Sequence, residues 1–378
     1  MHLHERVRPA VHIALAAVTV LALAGGGLML FAPQVPALWQ EGFPPPVWTG
    51  EGTFAVVDGP DTPLPKGAPL PAPAAQRFAD SEGRALLVMR DGQLVHEVYG
   101  PGIGPETRLN SYSLVKSLVG ALVLRAHAEG RIDSLDTPLA ELIGPEAPAV
   151  TLREVLDMTS GLSLGYEPPK SDKEAPLDDA DFSPFGPVAR LHAFGIETLL
   201  LRLSPDPDLR GSFHYQSANT ALLGLVVEKV HGAPLPQVLG TQIWQPSGAA
   251  PAEWRKNPNS GRVSAYCCLY ATPRDWAKVA HYLLQNGTGA HPFLPDTLWR
   301  DWILPDLAPA VRHAGAYGGH LRHDVLDRPD EALQGPFAYM AGHGGQVVYL
   351  LPGRDAVVVR FGARPQLLHT TLYELFPE

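Results

Sequence analysis

The stretch 108-RLNSYSLVKSLVGALVL-124 places one cation, Lys116, in a run that is otherwise apolar or small from Leu114 onward. Burying an ammonium without a partner is costly, so a lysine here needs a reason. Ser113 stands three residues earlier, and residues three apart share a helix face. Arg108–Tyr112 shows no helical pattern, so Ser113 falls at a junction and opens the helix. At that end, free backbone N–H groups and the positive end of the dipole favour an oxyanion. Apolar surroundings favour the neutral, basic form of the lysine one turn on. Alone, S-x-x-K is a short pattern, and a lysine on the polar edge of a buried helix is the plain alternative. The rest of the chain decides between them.

Outward from this helix the pattern divides. The run 85-ALLVMRDGQLVHEVYG-100 reads as two strands joined at Asp91-Gly92, and 345-GQVVYLLPGRDAVVVRFG-362 as a second hairpin turning at Pro352–Asp355. Between them lie helical patterns at Ser113–Glu129, Leu152–Met158, Asn219–Val230 and 274–287. Thr151 with Glu154 supplies a capping box for the second of these, and Gly161 a stop. Strands at both ends with helices inserted predict an α+β fold: one antiparallel sheet flanked by helices, with a mostly helical lobe at about 115–260. Tyr166 to about Gly186, rich in Pro and Asp, reads as a long surface loop.

The 378 residues carry a net charge of −10, with no basic stripe, which argues against a nucleic-acid partner. Cys267 and Cys268 are adjacent, a spacing that suits neither a disulfide framework nor zinc, and they read as small apolar strand residues. Arg6 and Arg8 precede an apolar run at 10–32 that is long enough to span a bilayer. Residues 1–9 are then a cytoplasmic N-terminus and 10–32 a transmembrane anchor, with the rest outside the cytoplasm. Cleavage as a signal peptide at Ala22-Leu23-Ala24, giving a secreted protein, is the alternative. Residues 33–78, punctuated by prolines, read as a tether with one strand at Phe54–Val57. The globular domain spans 79–378.

Several motifs are candidates for chemistry. Gly161-Leu-Ser-Leu-Gly165 matches G-x-S-x-G, but a helix precedes it and a loop follows, the wrong setting for a nucleophile elbow. His313, His320 and His323 fit no compact metal motif and read as solvated loop residues. Two other segments can converge on Ser113. In 213-FHYQSANTALLG-224, Tyr215 precedes an apolar helix, with Ser217 and Asn219 after it; a tyrosine near a lysine can relay a proton. In 340-MAGHGGQVVYLLP-352, a glycine-rich entry to a strand leaves backbone N–H groups available to an oxyanion.

Ser113-x-x-Lys116, Tyr215 and the His343-Gly344-Gly345 strand, in this chain order, resemble the serine β-lactamase and penicillin-binding-protein superfamily. The likeness is greatest to its class C-like esterases and 6-aminohexanoate-oligomer hydrolases. It extends through 130-GRIDSLDTPLAELIG-144, 151-TLREVLDMTSGL-162 and 271-ATPRDWAKVAHYLLQNGT-288, and covers roughly Gly83 to Phe361. The resemblance implies a β-lactamase/transpeptidase-like fold, no cofactor and no metal, and hydrolysis through an acyl-enzyme. Ser113 would be the nucleophile, Lys116 its activator and Tyr215 the general base and acid. The Ser113 amide would be one oxyanion donor, and the amide of His343 or of Gln346 the second. Where the pattern has Tyr-x-Asn, this chain has Tyr215-Gln-Ser217, with Asn219 displaced; where it has Lys-Thr-Gly, this chain has His343-Gly344-Gly345. Both departures point away from β-lactams and D-Ala-D-Ala peptides, toward small neutral esters or amides. A β-lactamase or DD-peptidase is the alternative enzyme, and a non-catalytic tethered binding or sensor domain is the alternative class. No protein partner is inferable.

Overall fold

Two hairpins frame the main sheet of the structure, a computed structural model that describes residues 32–42, 44–164, 188–364 and 369–377, with Gly27, Leu30 and Gly186. After an outlying strand β1 (Phe54–Val57), β2 (Gly83–Arg90) and β3 (Gln93–Tyr99) turn at Asp91-Gly92. Both turn residues have positive φ, 49° and 74°, the pair of left-handed positions that a tight two-residue hairpin requires. Short strands β4 (Leu109–Asn110), β5 (Ala252–Arg255) and β6 (Leu269–Ala271) follow, then a ribbon of β7 (Gly287–Thr288) with β8 (His291–Pro292). Next come β9 (Ala316–Gly318), β10 (Leu321–Leu326), β11 (Gly335–Gly342), β12 (Gln346–Leu351) and β13 (Ala356–Gly362).

The main sheet runs β3-β2-β13-β12-β11-β10-β9, antiparallel throughout. The first hairpin is zipped onto the last strand, with Val358 opposite Val88 and Val359 opposite Leu87. Alternate side chains of β13 serve two cores. Val357, Val359 and Phe361 join one cluster, and Ala356 and Val358 the other. That is why β13 is apolar on both faces, unlike a strand with one wet side.

The helices that position the site are α1 (Gln34–Glu41), α2 (Ala72–Asp80), α3 (Val115–Ala128), α4 (Leu152–Leu156), α5 (Ser217–His231), α6 (Pro273–Leu284) and α7 (His369–Leu375). Ala74 and Phe78 of α2 and Leu372 and Leu375 of α7 cover one face of the sheet. Helix α6 covers the other, started by a capping box between Thr272 and Asp275. Helices α3 and α5 pack together in the helical lobe, and α4 has the expected Thr151–Glu154 capping box. A second sheet, β1-β5-β6-β4, lies at the start of that lobe and delivers the chain to Ser113.

Two expectations change. Residues 33–78 were expected as a tether, yet much of this stretch is laid against the domain. Helix α1 forms behind Pro33 with Pro36 in its first turn, where a missing N–H is harmless, and Glu41 pairs with Arg255. Strand β1 pairs with β5, and Leu70 is buried. Prolines forbid a long helix here, but they do not forbid an extended chain with apolar side chains to bury. Secondly, Cys267 and Cys268 are bonded to each other, and both are buried. Neighbouring side chains point apart in an extended strand; Cys268, at φ 69°, breaks that alternation. No helix among the described residues is long and apolar enough to cross a membrane. The expected anchor at 10–32 lies outside the described residues except for Gly27, Leu30 and Ala32, as does nearly all of the 166–186 loop.

Candidate active site

Ser113 sits where a strand becomes a helix. After β4, the amide of Ser111 donates to Leu269 O at 2.9 Å, and its hydroxyl accepts the Leu269 amide at 3.1 Å. A single 3-10 turn, Tyr112–Leu114, then leads into α3. Tyr112 has φ 43°, a left-handed conformation that costs a residue with a side chain roughly 1–3 kcal/mol. The surroundings hold it there: its amide donates to Asn110 Oδ1 at 2.9 Å and its hydroxyl to Pro44 O at 3.1 Å. The result is a sharp bend immediately before the serine.

Lys116 lies one turn on, only 3% exposed, and Ser113 is 7% exposed. Its Nζ donates to Ser113 Oγ at 2.7 Å and to the carbonyl oxygen of Tyr266 at 2.8 Å. The ring of Tyr215 is centred 5.1 Å from the same nitrogen and that of Tyr266 5.8 Å. This answers how the helix tolerates its lysine: the cation has a hydroxyl, a carbonyl and two aromatic faces. Tyr266 is anchored in turn by His192 Nδ1 at 3.0 Å, and burial pushes its own hydroxyl up to about 12. No sequence signal marks Tyr266, because it acts through a main-chain atom.

Tyr215 is half-buried just ahead of α5, and its hydroxyl makes no hydrogen bond among the described residues. The Arg322 guanidinium of β10 is centred 5.7 Å from its ring, 5.8 Å from that of Tyr317 and 5.9 Å from that of Phe213. Among the described residues no carboxylate forms an ion pair with Arg322. Sequence reasoning missed it for lack of any motif: the strand register alone brings it here, opposite Tyr317 of β9. Ser217 is half-buried in the first turn of α5. Asn219 is buried and points elsewhere, its Oδ1 accepting from Ser160 Oγ at 2.7 Å and its Nδ2 against Met158 Sδ at 3.3 Å.

The end of β11 closes the site. A Cβ on Gly342 would lie 2.5 Å from Ser111 O and 3.3 Å from Ser113 N, so only glycine lets the two backbones approach this closely. His343, Gly344 and Gly345 form a tight turn, with φ 72° and 74° at the two glycines. The His343 ring meets that of Tyr112 edge-on, with centroids 5.2 Å apart. Gln346 is 1% exposed and braces the turn from behind: Nε2 donates to His343 O at 2.7 Å, and Oε1 accepts the Gly362 amide at 2.8 Å. Arg360 donates to Gly345 O and, at 2.9 Å, to Ser81 O; burial lowers its guanidinium to about 10.

The solvated-histidine reading fits His313, which is exposed beside Asp324 and Asp327, but not the other two. His320 and His323 are each 2% exposed. The His320 Nδ1 meets Leu156 O at 2.6 Å and its Nε2 meets Thr220 Oγ1 at 2.9 Å. Its carbonyl takes a bond from Ser117 Oγ at 2.6 Å. Desolvation holds His320 at about 3 and His323 at about 4, so both are neutral packing residues behind the site. The histidines failed as a sequence reading because burial is decided by the β9–β10 hairpin folding back onto α3 and α5. Gly161, at φ 69°, turns the chain after α4, and a Cβ there would lie 2.6 Å from Asp206 O.

Known proteins share this arrangement of elements. A family model described as Beta-lactamase matches residues 73–369. The 6-aminohexanoate-dimer hydrolase of Paenarthrobacter ureafaciens is 27% identical over 298 residues, 77% of this chain and 75% of that protein. Among solved structures, a candidate 6-aminohexanoate-dimer hydrolase from Bacillus anthracis superposes with a TM-score of 0.67 at 21% identity, covering 86% of this chain and 89% of that one. A D-stereospecific amidohydrolase from Streptomyces sp. gives 0.59 at 18% identity, covering 80% and 97%. A penicillin-binding protein from Bacillus halodurans also gives 0.59 at 18%, covering 79% and 98%. With the family model spanning most of its length, the chain belongs to the beta-lactamase family.

Proposed function

We propose that this chain, a hydrolase of that family, cleaves a small ester or amide through an acyl-enzyme on Ser113. The observation that carries the reading is the 2.7 Å contact between Lys116 Nζ and Ser113 Oγ, both on buried residues. Lys116, once neutral, accepts the serine proton as Oγ attacks the carbonyl carbon. Tyr215 faces the same nitrogen and passes the proton to the leaving oxygen or nitrogen. Two amides stabilise the oxyanion. One is that of Ser113. The other is that of His343, which follows directly on Gly342, where an added Cβ would lie 3.3 Å from Ser113 N. Gln346 braces that turn. Water then attacks the acyl-enzyme by the reverse proton path and releases the acid.

The amide-hydrolysing relatives support an amide or ester over a β-lactam. Arg322 adds a cation beside Tyr215, so a substrate bearing an acidic group has a partner despite the His343-Gly344-Gly345 turn. Placement of the domain outside the cytoplasm, tethered through 10–32, rests on Arg6, Arg8 and the apolar run, and the buried disulfide suits an oxidising compartment.

The test is intact-mass and turnover analysis of wild type and Ser113→Ala with a p-nitrophenyl ester, a short amide and a chromogenic cephalosporin. Wild type should form and lose an adduct with the ester, and Ser113→Ala should form none and lose on the order of 10⁶ in turnover. Unchanged turnover in Ser113→Ala would sink the mechanism. An adduct that forms and never leaves would favour a binding domain, and faster turnover of the cephalosporin would favour a β-lactamase.

A further inference from the structure

The segment 266–269 touches the catalytic apparatus at two places, with the Cys267–Cys268 disulfide between them. On one side the Tyr266 carbonyl takes the Lys116 ammonium at 2.8 Å. On the other, Leu269 exchanges two bonds with Ser111, at 2.9 and 3.1 Å, two residues before Ser113. The intervening carbonyls are also taken: Cys267 O by Trp254 Nε1 and Cys268 O by the Arg255 amide, each at 3.0 Å. The Cys267 amide closes a turn onto Ser264 O at 2.9 Å. Cys268 meanwhile sits at φ 69°, a region that residues with a side chain leave when free to do so. Rotation of Cys268 out of that region would carry the chain on either side with it, and so would part the lysine's anchor from the serine's.

We propose that the Cys267–Cys268 disulfide is a positioning clamp for the Ser113–Lys116 pair. The ring it closes holds Cys268 in the left-handed conformation and so fixes the distance between the Tyr266 carbonyl and the Ser111 hydrogen bonds. Both sulfurs are fully buried, so the clamp is a permanent fixture of the folded enzyme and not a switch open to solutes. Its role is geometric: neither cysteine touches the substrate. This rests on the reading of Ser113 and Lys116 given above.

Two measurements test it. Iodoacetamide in denaturant should leave the chain unmodified without reductant and add two groups after dithiothreitol; two additions without reductant would overturn the proposal. The second is a rescue. Cys267→Ala/Cys268→Ala removes the ring and leaves a side chain at a left-handed position. Its kcat toward an ester that the wild type hydrolyses should fall about tenfold or more, with KM changed less than twofold. Cys267→Ala/Cys268→Gly also lacks the ring but adopts that φ freely. It should recover most of the lost kcat. A double-alanine variant with wild-type kcat, or a folded glycine variant as slow as the double alanine, would overturn the clamp. Should the double alanine not fold, the glycine variant decides alone: near-wild-type kcat supports the clamp, and a folded, slow enzyme overturns it. Ser113→Ala separates the two ideas, since activity retained there condemns the catalytic reading whatever the cysteine variants do.

Discussion

Replacing Gly342 by alanine isolates one contact. The residue has φ −133° and ψ 160°, extended backbone that alanine adopts freely, so the change adds no conformational strain of its own. What it adds is a carbon 2.5 Å from Ser111 O and 3.3 Å from Ser113 N. Ser111 O cannot retreat cheaply, because it accepts the Leu114 amide at 3.0 Å and so closes the turn that carries Ser113. The strand end must move instead, taking the His343 amide away from the oxyanion position proposed above. Overpacking of this kind costs about 1–3 kcal/mol of stability. Loss of one oxyanion donor costs about 10²–10³ in kcat. Steady-state kinetics on an ester, together with urea unfolding, should show both effects, and KM should change little. Gly353→Ala is the control, since a Cβ there comes no nearer than 4.0 Å to Gln334 O and both parameters should hold. A Gly342→Ala enzyme with unchanged kcat would refute the placement of the second donor.

Lys116→Met keeps the buried volume but removes the bonds to Ser113 and Tyr266, and kcat should drop by at least about 10³ while near-ultraviolet circular dichroism is preserved. Arg322→Ala should raise KM about 10–100-fold for an amide whose leaving group bears a carboxylate and leave a neutral ester unaffected; equal losses on both would refute the anion-binding role. His320 takes up its proton at about 3 when folded and near 6.5 when unfolded, so the unfolded chain binds that proton first as pH falls. Its contribution is complete above pH ~6.5 and declines by up to about 1.4 kcal/mol per pH unit towards pH 3. Urea midpoints between pH 7 and 4 should show this slope, flattened in His320→Gln.

The hairpins and helices were legible because their signals are local: Asp91-Gly92 demands a turn whatever surrounds it, and Thr151 with Glu154 caps a helix from within. Ser113 and Lys116 were legible for the same reason, lying one turn apart on one helix. Tyr215 and the His343-Gly344-Gly345 turn were readable from the order of the motifs; the other partners were not. Tyr266 serves through its carbonyl, which every residue has. Arg322 arrives by the register of β9 and β10, and Gly342 matters only because another backbone comes within reach. The disulfide escaped a rule about extended strands because Cys268 is not extended. The proline count of 33–78 described how that segment could not fold, and was silent on what it could lie against.

The pairing of β2 with β13 has a temporal consequence. Ser113 and Lys116 leave the ribosome first, and Gly342 and its turn follow ~10–50 s later at roughly 5–20 residues per second. Until β13 emerges, β2 has an open edge where its central neighbour belongs, and the sheet can close only after β13 has been made. The nascent protein therefore carries Ser113 through synthesis of the helical lobe without the backbone that the proposed mechanism needs, and loss of β12 and β13 would leave an adhesive fragment, not a slower enzyme.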